Sequence, residues 1–577
     1  MTINLQLVDN MGIEEIIEKH VLKNAYDYGK ADPGSIIGKV IGEMPDAKKD
    51  MKALVSKVKE TVAAVNKMSK SEIETTMSKF TYVEKKEEER KLHAPGLDLN
   101  VPVTLRFAPE PGGYIHIGNA KAALLSYELV KQSGGKMYLR FDDTNPEKSK
   151  QEFVDAIKRD LNWLKMGWDY ETYTSDSMDL FYDYGAEMIR KGRAYVCECT
   201  PEVIRLGRRE QKGCACRDKP LVQNLRDYER MQKGGFKEGT AIVRFKGDMK
   251  ALNSVMRDPT LFRLCETPHF RQGEKYVLWP SYDFVCPILD STNGLTHALR
   301  GKEYELRDEL YNAILEVLEL PKPVIISISR LQIKHNTTAK RIIRDLVAKG
   351  QIKTWDDPRL VTISALRRRG ILPEAIREFV LAAGISKQES EAEIEQLLVE
   401  NRKLLDPITK RLHFVRGPTT IKITNIDDET VKIPLHPKQS MGERAMQVKG
   451  GTVYIDVNDT PAVGEILRLK DLCTIKVTNV VSNTVSAEKI ETDEMPEKKI
   501  QWVGSDHVKA KVLRPGNLLI GEGDNVEFNI DSMKIEEGIC EKECENLKDD
   551  DVVQFVRYGF VRKDGTEEGK LRFIYSC

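Results

Sequence analysis

Between Pro109 and Lys121 the chain reads PEPGGYIHIGNAK, and this stretch limits the fold more sharply than any other. Upstream, the short apolar run Val101–Phe107 predicts a buried strand; downstream, Ala120–Val130 predicts a helix. A strand that enters a helix through a Gly-containing turn builds a phosphate site, because free backbone N–H groups and the positive helix end face the same point. Gly118 lets the backbone approach a ligand closely, since no Cβ intervenes.

The rest of the chain is read around that turn. Its 577 residues make room for roughly four domains. Lys+Arg and Asp+Glu both number 90, so any nucleic-acid surface must be local rather than global. No apolar run approaches the ~20 residues of a bilayer span, and MTINLQLVDN lacks the basic and apolar regions of a secretory leader. Ten cysteines are sparse for this length, so a reduced, cytoplasmic protein without membrane contact is expected.

Residues 12–80 show helical spacing of apolar side chains, and the charge run KKEEERK at 85–91 separates them from the strand at 101. This predicts a helical appendage over 1–95. From 101 to about 350 strands alternate with helices (Met137–Phe141, Phe153–Leu164, Met178–Lys191, Val324–Ile328), a Rossmann-like α/β pattern with a parallel sheet over 96–350. Residues 363–405 read as helix, within a helical connector over 351–408. From about 409 to 577 short alternating strands predict all-β barrels, with Asp564-Gly565 as a hairpin turn.

PEPGGYIHIGN resembles the first signature of the class I aminoacyl-tRNA synthetases, in which a His pair contacts the ATP phosphates; Asn119 stands where the second His is usual. Its flanks narrow the resemblance. LRFAPEPGGYIHIGNAK, LRFDDTNPEKSKQEF at 139–153, WPSYDF at 279–284, THALRGKE at 296–303 and WDDPRLVTISALRRRGI at 355–371 are similar, in order, to the glutamyl and glutaminyl members. The resemblance covers about 101 to 577. It implies ATP contacts from Pro109, Glu110, Pro111, Gly112, His116, Gly118, Asn119, Lys121, Gly301, Arg330 and Leu331.

The second signature of that family, Lys-Met-Ser-Lys-Ser, stands literally at Lys67–Ser71, but these residues precede the first strand of the α/β region inside a helical unit. They read as a solvated stretch between helices. The resemblance places the working loop between Leu331 and Trp355, where Thr337–Arg341 (TTAKR) keeps one lysine, Lys340. With His116, Gly118 and Asn119 it forms the implied catalytic set, able to stabilise departing pyrophosphate.

Arg300 resembles the glutamyl rather than the glutaminyl members, and a guanidinium favours a substrate with a second carboxylate. Arg106 is a second clamp candidate, Asp142 the implied ammonium ligand and Tyr282 a wall of the pocket. The pairs Cys197-x-Cys199 and Cys214-x-Cys216 suit tetrahedral zinc, in an insertion (about 195–275) implied to hold the tRNA acceptor end. His269 and His297 read as ordinary polar residues. Arg367–Gly370, Arg411–Gly417, Arg557 and Arg562 are candidate basic contacts to RNA.

The implied activity is ligation of glutamate to tRNA(Glu), with tRNA(Gln) left open as a second acceptor, using ATP with Mg2+ by a monomer of the archaeal or cytosolic eukaryotic type, with activation that needs bound tRNA. A glutaminyl enzyme and a non-catalytic tRNA-binding relative stay open as alternatives.

Overall fold

The computed structural model describes residues 12–28, 31–80, 92–94, 96–492, 495–521 and 525–577. KKEEERK and MTINLQLVDN lie outside the described residues. The chain divides into two compact units with the boundary at Arg90.

The first unit is four helices: α1 (Ile13–Tyr28), α2 (Pro33–Glu43), α3 (Met51–Val65) and α4 (Lys70–Met77). Each start has a local cause. Asp32 accepts from Ser35 N ahead of Pro33, and Asp50 accepts from Ala53 N. Ser69 and Glu72 form a capping box at α4. Ile17, Val21, Leu22, Ile36, Val40, Leu54 and Val58 share one core. The literal Lys67–Ser71 motif is therefore the turn and N-cap that start α4.

The second unit opens on β1 (Thr104–Phe107), shorter than expected because Pro102 has no N–H to donate and Val101 is exposed. There follow α5 (Ile117–Ser133), β2 (Lys136–Phe141), α6 (Gln151–Trp163) and β3 (Tyr170–Tyr173). β1, β2 and β3 pair in parallel in that order. The return from α5 to β2 needs a glycine at 135, where a Cβ would lie 1.8 Å from Val103 O.

Next come α7 (Met178–Arg190), β4 (Ala194–Cys197), α8 (Pro201–Glu210), α9 (Leu221–Gln232), β5 (Ile242–Phe245), β6 (Thr260–Leu264) and β7 (Leu278–Pro280). Strands β4–β7 form an antiparallel sheet over their own core, which includes Phe181, Tyr228, Phe262 and Trp279. The chain re-enters the parallel layer through α10 (Tyr282–Thr292), β8 (His297–Gly301), α11 (Asp308–Val317) and β9 (Val324–Ile328), with β8 and β9 parallel. Thr296 N donates to Thr104 O at 3.1 Å, which sets β8 beside β1.

β10 (Leu331–Ile333), α12 (Lys340–Ala348), α13 (Ile363–Arg368), α14 (Pro373–Ala383), β11 (Ser390–Ala392) and α15 (Ile394–Leu405) complete this part. The expected helix over 363–405 is broken at β11, which pairs in parallel with β10; SKQESEAE has no apolar stripe to hold a helix there.

Two β-rich parts follow. A six-stranded sheet is centred on Thr419–Thr424 and Thr484–Ile490, over Ile421, Val453, Val477 and Trp502. A seven-stranded sheet runs from Arg411–Leu412 to Phe414–Arg416 through the strands of 508–575, over Phe414, Val512, Phe555 and Phe573. The hairpin expected at Asp564-Gly565 is displaced. Gly559–Glu567 continues through that pair with a bulge between Lys563 and Thr566, and the turn is Glu568-Gly569, with φ of 53° and 73°. The reason is charge. The Asp564 carboxylate accepts from Arg368, Arg562 and Arg572 and is fixed within the sheet.

Candidate active site

The turn after β1 is held from both sides. Asp142 N donates to Pro109 O and Lys150 N to Pro111 O, both at 3.1 Å. Ile117 N donates to Val361 O and Ile363 N to Ile115 O, both at 3.0 Å, so the start of α13 fixes the backbone around His116. His116 is the N-cap of α5: its Nδ1 accepts from Gly118 N (3.1 Å) and Asn119 N (3.4 Å). Asn119 Oδ1 accepts from His116 N at 3.1 Å, closing a capping box.

With Nδ1 an acceptor, the network assigns the imidazole proton to Nε2. Burial, then Lys340 and Arg330, push the His116 pKa down to about 4, so the ring is a neutral donor. Asn119 keeps its amide NH2 for a ligand while its oxygen serves the cap. At Gly118 a Cβ would meet the His116 ring at 3.0 Å and Leu331 O at 3.3 Å.

These residues form one wall of a cavity of about 1050 Å3. Arg106, Tyr282, Arg300 and Tyr304 line its inner end, and Gly301, Arg330, Leu331 and the 334–339 loop its other side. Lys340 starts α12 and lies across Gly113, with Nζ 3.5 Å from Glu110 O, while Arg344 Nη2 donates to Gly112 O at 3.3 Å. The two loops expected to share the phosphates thus meet, and burial lowers the Lys340 pKa. Lys121 is a correction. One turn into α5, it is buried, with its ammonium donating to Ser329 O (2.9 Å) and Ser329 Oγ (3.0 Å). It straps α5 to the end of β9, so its ammonium is already committed within the protein.

The inner end holds a buried charge network that sequence reasoning missed. Asp290 is fully buried and takes Arg106 in a fork, Nε at 3.1 Å and Nη2 at 3.0 Å. It also accepts from Arg140 Nη1 (2.8 Å) and Tyr311 OH (3.0 Å). Burial alone would raise this carboxyl, but Arg106 and Arg140 outweigh it and hold it below the usual range. Arg106 Nη1 donates to Leu299 O at 2.9 Å, so that guanidinium is largely committed. Tyr282, Cys286 and Asp290 recur every four residues along α10, on one helix face, a spacing that sets Asp290 on the face of Tyr282 but does not reveal its partner Arg106.

Two atoms remain open. Asp142 gives one oxygen to Arg140 Nε (3.1 Å) and Thr174 Oγ1 (2.9 Å); its Oδ2 is buried with no hydrogen-bond partner among the described residues. Burial raises the Asp142 carboxyl, against the pull of Arg140. Arg300, 5% exposed, gives Nη1 to Asp308 Oδ1 at 2.5 Å and stands over the rings of Tyr304 and Tyr311; its Nε is likewise buried and unpartnered. An acceptor and a donor left unmade in one region are costly unless a ligand completes both.

In the insertion, the four sulfurs of Cys197, Cys199, Cys214 and Cys216 lie within 4.8 Å of one another. Cys197–Cys214 and Cys199–Cys216 are each 3.8 Å apart. A tetrahedron with ~2.3 Å zinc–sulfur bonds has an S–S edge of about 3.8 Å, so the four fit a zinc ion. Arg244 Nη1 is 3.9 Å from both Cys197 Sγ and Cys214 Sγ, and Tyr195 OH is 3.8 Å from Cys214 Sγ. His269 is buried, its ring bonded to Asp143 O at 2.8 Å, and His297 bonds Thr296 and Gly96. Of the candidate RNA arginines, Arg368, Arg411, Arg416, Arg557 and Arg562 pair with carboxylates.

Three family descriptions match consecutive parts of the chain. "tRNA synthetases class I (E and Q), catalytic domain" covers residues 102–407, and two anticodon-binding domains of the same family cover 409–493 and 499–564. The glutamate–tRNA ligase of Nitrosopumilus maritimus (strain SCM1) is 40% identical over 565 residues, 96% of this chain and 98% of that protein. Those of Cenarchaeum symbiosum (strain A) and Pyrococcus furiosus are each 37% identical, covering 95% and 98% of this chain and 97% and 100% of their own.

Proposed function

The chain belongs to the class I tRNA synthetases of the glutamate and glutamine branch, and we infer from that membership and from the cavity that it is a glutamate–tRNA ligase. It uses ATP to activate glutamate and passes the glutamyl group to tRNA. In the first step a glutamate α-carboxylate oxygen attacks the α-phosphorus of ATP and pyrophosphate leaves. In the second a hydroxyl of the terminal adenosine attacks the mixed anhydride and AMP leaves. The carboxylate is its own nucleophile, so the protein's task is positioning and charge stabilisation.

We assign the substrate contacts as follows. The ammonium of glutamate sits on Asp142 Oδ2, and that positive charge offsets the burial that raises this carboxyl. The side-chain carboxylate sits on Arg300 Nε. Arg106, locked by Asp290, offers its remaining N–H edge, and Tyr282 closes the pocket. His116 Nε2–H and the Asn119 amide donate to the α-phosphate, while Lys340 and Arg330 neutralise the departing pyrophosphate. Mg2+ accompanies the triphosphate. The observation that carries this reading is the pair of buried, unpartnered atoms, Asp142 Oδ2 and Arg300 Nε: the first suits the ammonium common to both amino acids, and the second, on a guanidinium, favours a side-chain carboxylate over a neutral amide.

Zinc on the four cysteines would be structural: a closed sulfur set tying the end of β4 to the 214–216 turn in the acceptor-holding insertion. Residues 96–350 would carry catalysis, 351–408 the connector and 409–577 the anticodon contacts, in a cytoplasmic monomer. No helix among the described residues is long and apolar enough to cross a membrane. The test is tRNA-dependent ATP–pyrophosphate exchange, run with glutamate and with glutamine, on tRNA(Glu) and tRNA(Gln). Exchange with glutamate is expected; exchange with glutamine alone sinks the specificity, and none with either sinks the activity.

A further inference from the structure

A second cleft, of about 780 Å3, opens behind the first signature, between the end of α6, α13 and the strand Gly559–Glu567. Its volume falls in the range of small-ligand sites. Three aromatic rings line it. Tyr114 stacks on Trp355 with centroids 5.6 Å apart and planes 25° off parallel, and Trp163 adds a third, partly exposed ring.

Its charges are uneven. Arg368 is held by Asp356 and Asp564, and Arg562 by Asp550 and Asp564, so the carboxylates at the rim are engaged. Arg159 and Arg367 also line the cleft and make no ion pair among the described residues. Asp160, a carboxylate that both arginines act on, is buried, with one oxygen lacking a hydrogen-bond partner among the described residues. Two free guanidiniums beside a stack of rings are the elements that bind a phosphate and a planar base together. The cleft is also wired to the turn of the first signature. Tyr114 lies two residues from His116, and Trp355 O accepts from Thr362 Oγ1, whose residue bridges His116.

We propose that this cleft is a second nucleotide site, with a base against Trp163 and the Tyr114–Trp355 stack and its phosphate on Arg159 and Arg367. The nucleotide comes either from bound tRNA or from solution as a free mononucleotide; only the tRNA source rests on the function proposed above.

The test compares the full-length protein with Arg159→Ala/Arg367→Ala, titrating AMP and, separately, tRNA(Glu), with tryptophan fluorescence as readout and Trp163→Phe locating the signal. At least one titrant is expected to bind tenfold or more weakly to the double variant, with the KM values for ATP and glutamate within twofold of wild type. If tRNA is the source, the salt dependence of its binding also loses about 0.7–0.9 of log–log slope per missing contact. A loss confined to AMP identifies a free nucleotide, and a loss confined to tRNA identifies a tRNA nucleotide. Unchanged binding of both overturns the proposal while leaving the ligase reading intact. If the protein charges no tRNA but AMP binding still depends on the two arginines, the ligase reading fails and the cleft stands.

Discussion

Replacing Arg300 with cysteine is the perturbation whose size the structure defines best. Arg300 is 5% exposed and its Nε has no partner among the described residues. If the glutamate carboxylate occupies that donor, Arg300→Cys leaves a carboxylate buried without its cation. Breaking a buried pair in this way costs about 3–5 kcal/mol. At about 1.4 kcal/mol per tenfold, kcat/KM for glutamate should fall roughly 150- to 4000-fold. Glutamine presents a neutral amide, whose hydrogen bond is worth about 0.5–1.5 kcal/mol, so its loss should stay within about tenfold. Asp308 loses its partner too, but its side chain is 24% exposed and water can replace the guanidinium. The assay is tRNA-dependent ATP–pyrophosphate exchange with each amino acid over a range of concentrations, with the KM for ATP as an internal control. Equal losses for both amino acids, or a loss below tenfold for glutamate, would refute the assignment and make Arg300 a prop for Asp308 and the Tyr304 and Tyr311 rings.

Lys340→Ala should slow activation about 100-fold or more with little change in the KM for glutamate, whereas Lys67→Ala and Lys70→Ala should change it less than twofold; the reverse order in steady-state exchange would mean the wrong loop has been assigned. Asp290→Asn removes the charge that orients Arg106 and Arg140, so kcat/KM for glutamate should drop about 100-fold while ATP binding, followed by equilibrium dialysis, holds. Because His116 titrates near pH 4, it stays neutral throughout the working range and should give the pH–rate profile no acid limb near 6.5; such a limb, lost in His116→Asn, would contradict the Nε2–H donor. The same depression means that, as pH falls from 6.5 toward 4, the unfolded chain takes up a proton that the folded one refuses, so stability declines in that window. Metal analysis should find about one zinc per chain in the wild type and none in Cys199→Ser/Cys216→Ser; a metal-free wild type would leave the four cysteines as thiols.

Why some features could be read in advance and others not is a matter of range. The strand–turn–helix at 104–133 is written locally, in an apolar run, glycines and a capping residue, and the structure builds it with its helix start at His116. The cysteine pairs also announced themselves, because spacing alone brings each pair together. Asp290 was hidden. It stands in YDFVCPILDST as the second of two acids, near the helix end, and its partner Arg106 is 184 residues away. Arg106 consequently looked free to bind substrate, when its Nε and Nη2 serve Asp290 and its Nη1 serves Leu299 O. Lys121 failed for a similar reason: a lysine one turn into a phosphate-facing helix looks available until Ser329, 208 residues on, is seen beneath it. Asp564-Gly565 carries a strong local turn signal, yet three arginines fix the aspartate, one of them from α13, and the turn moves to Glu568-Gly569.

In the proposed pose, glutamate spans Asp142 and Arg300 with its activated end under His116 and Lys340. The most direct measurement is a crystal structure with a non-hydrolysable glutamyl-adenylate analogue. The ligand ammonium is expected within hydrogen-bond distance of Asp142 Oδ2, the side-chain carboxylate on Arg300 Nε and the phosphate-like group on His116 Nε2. A side-chain carboxylate held elsewhere, with Arg300 Nε still unpartnered, would contradict it.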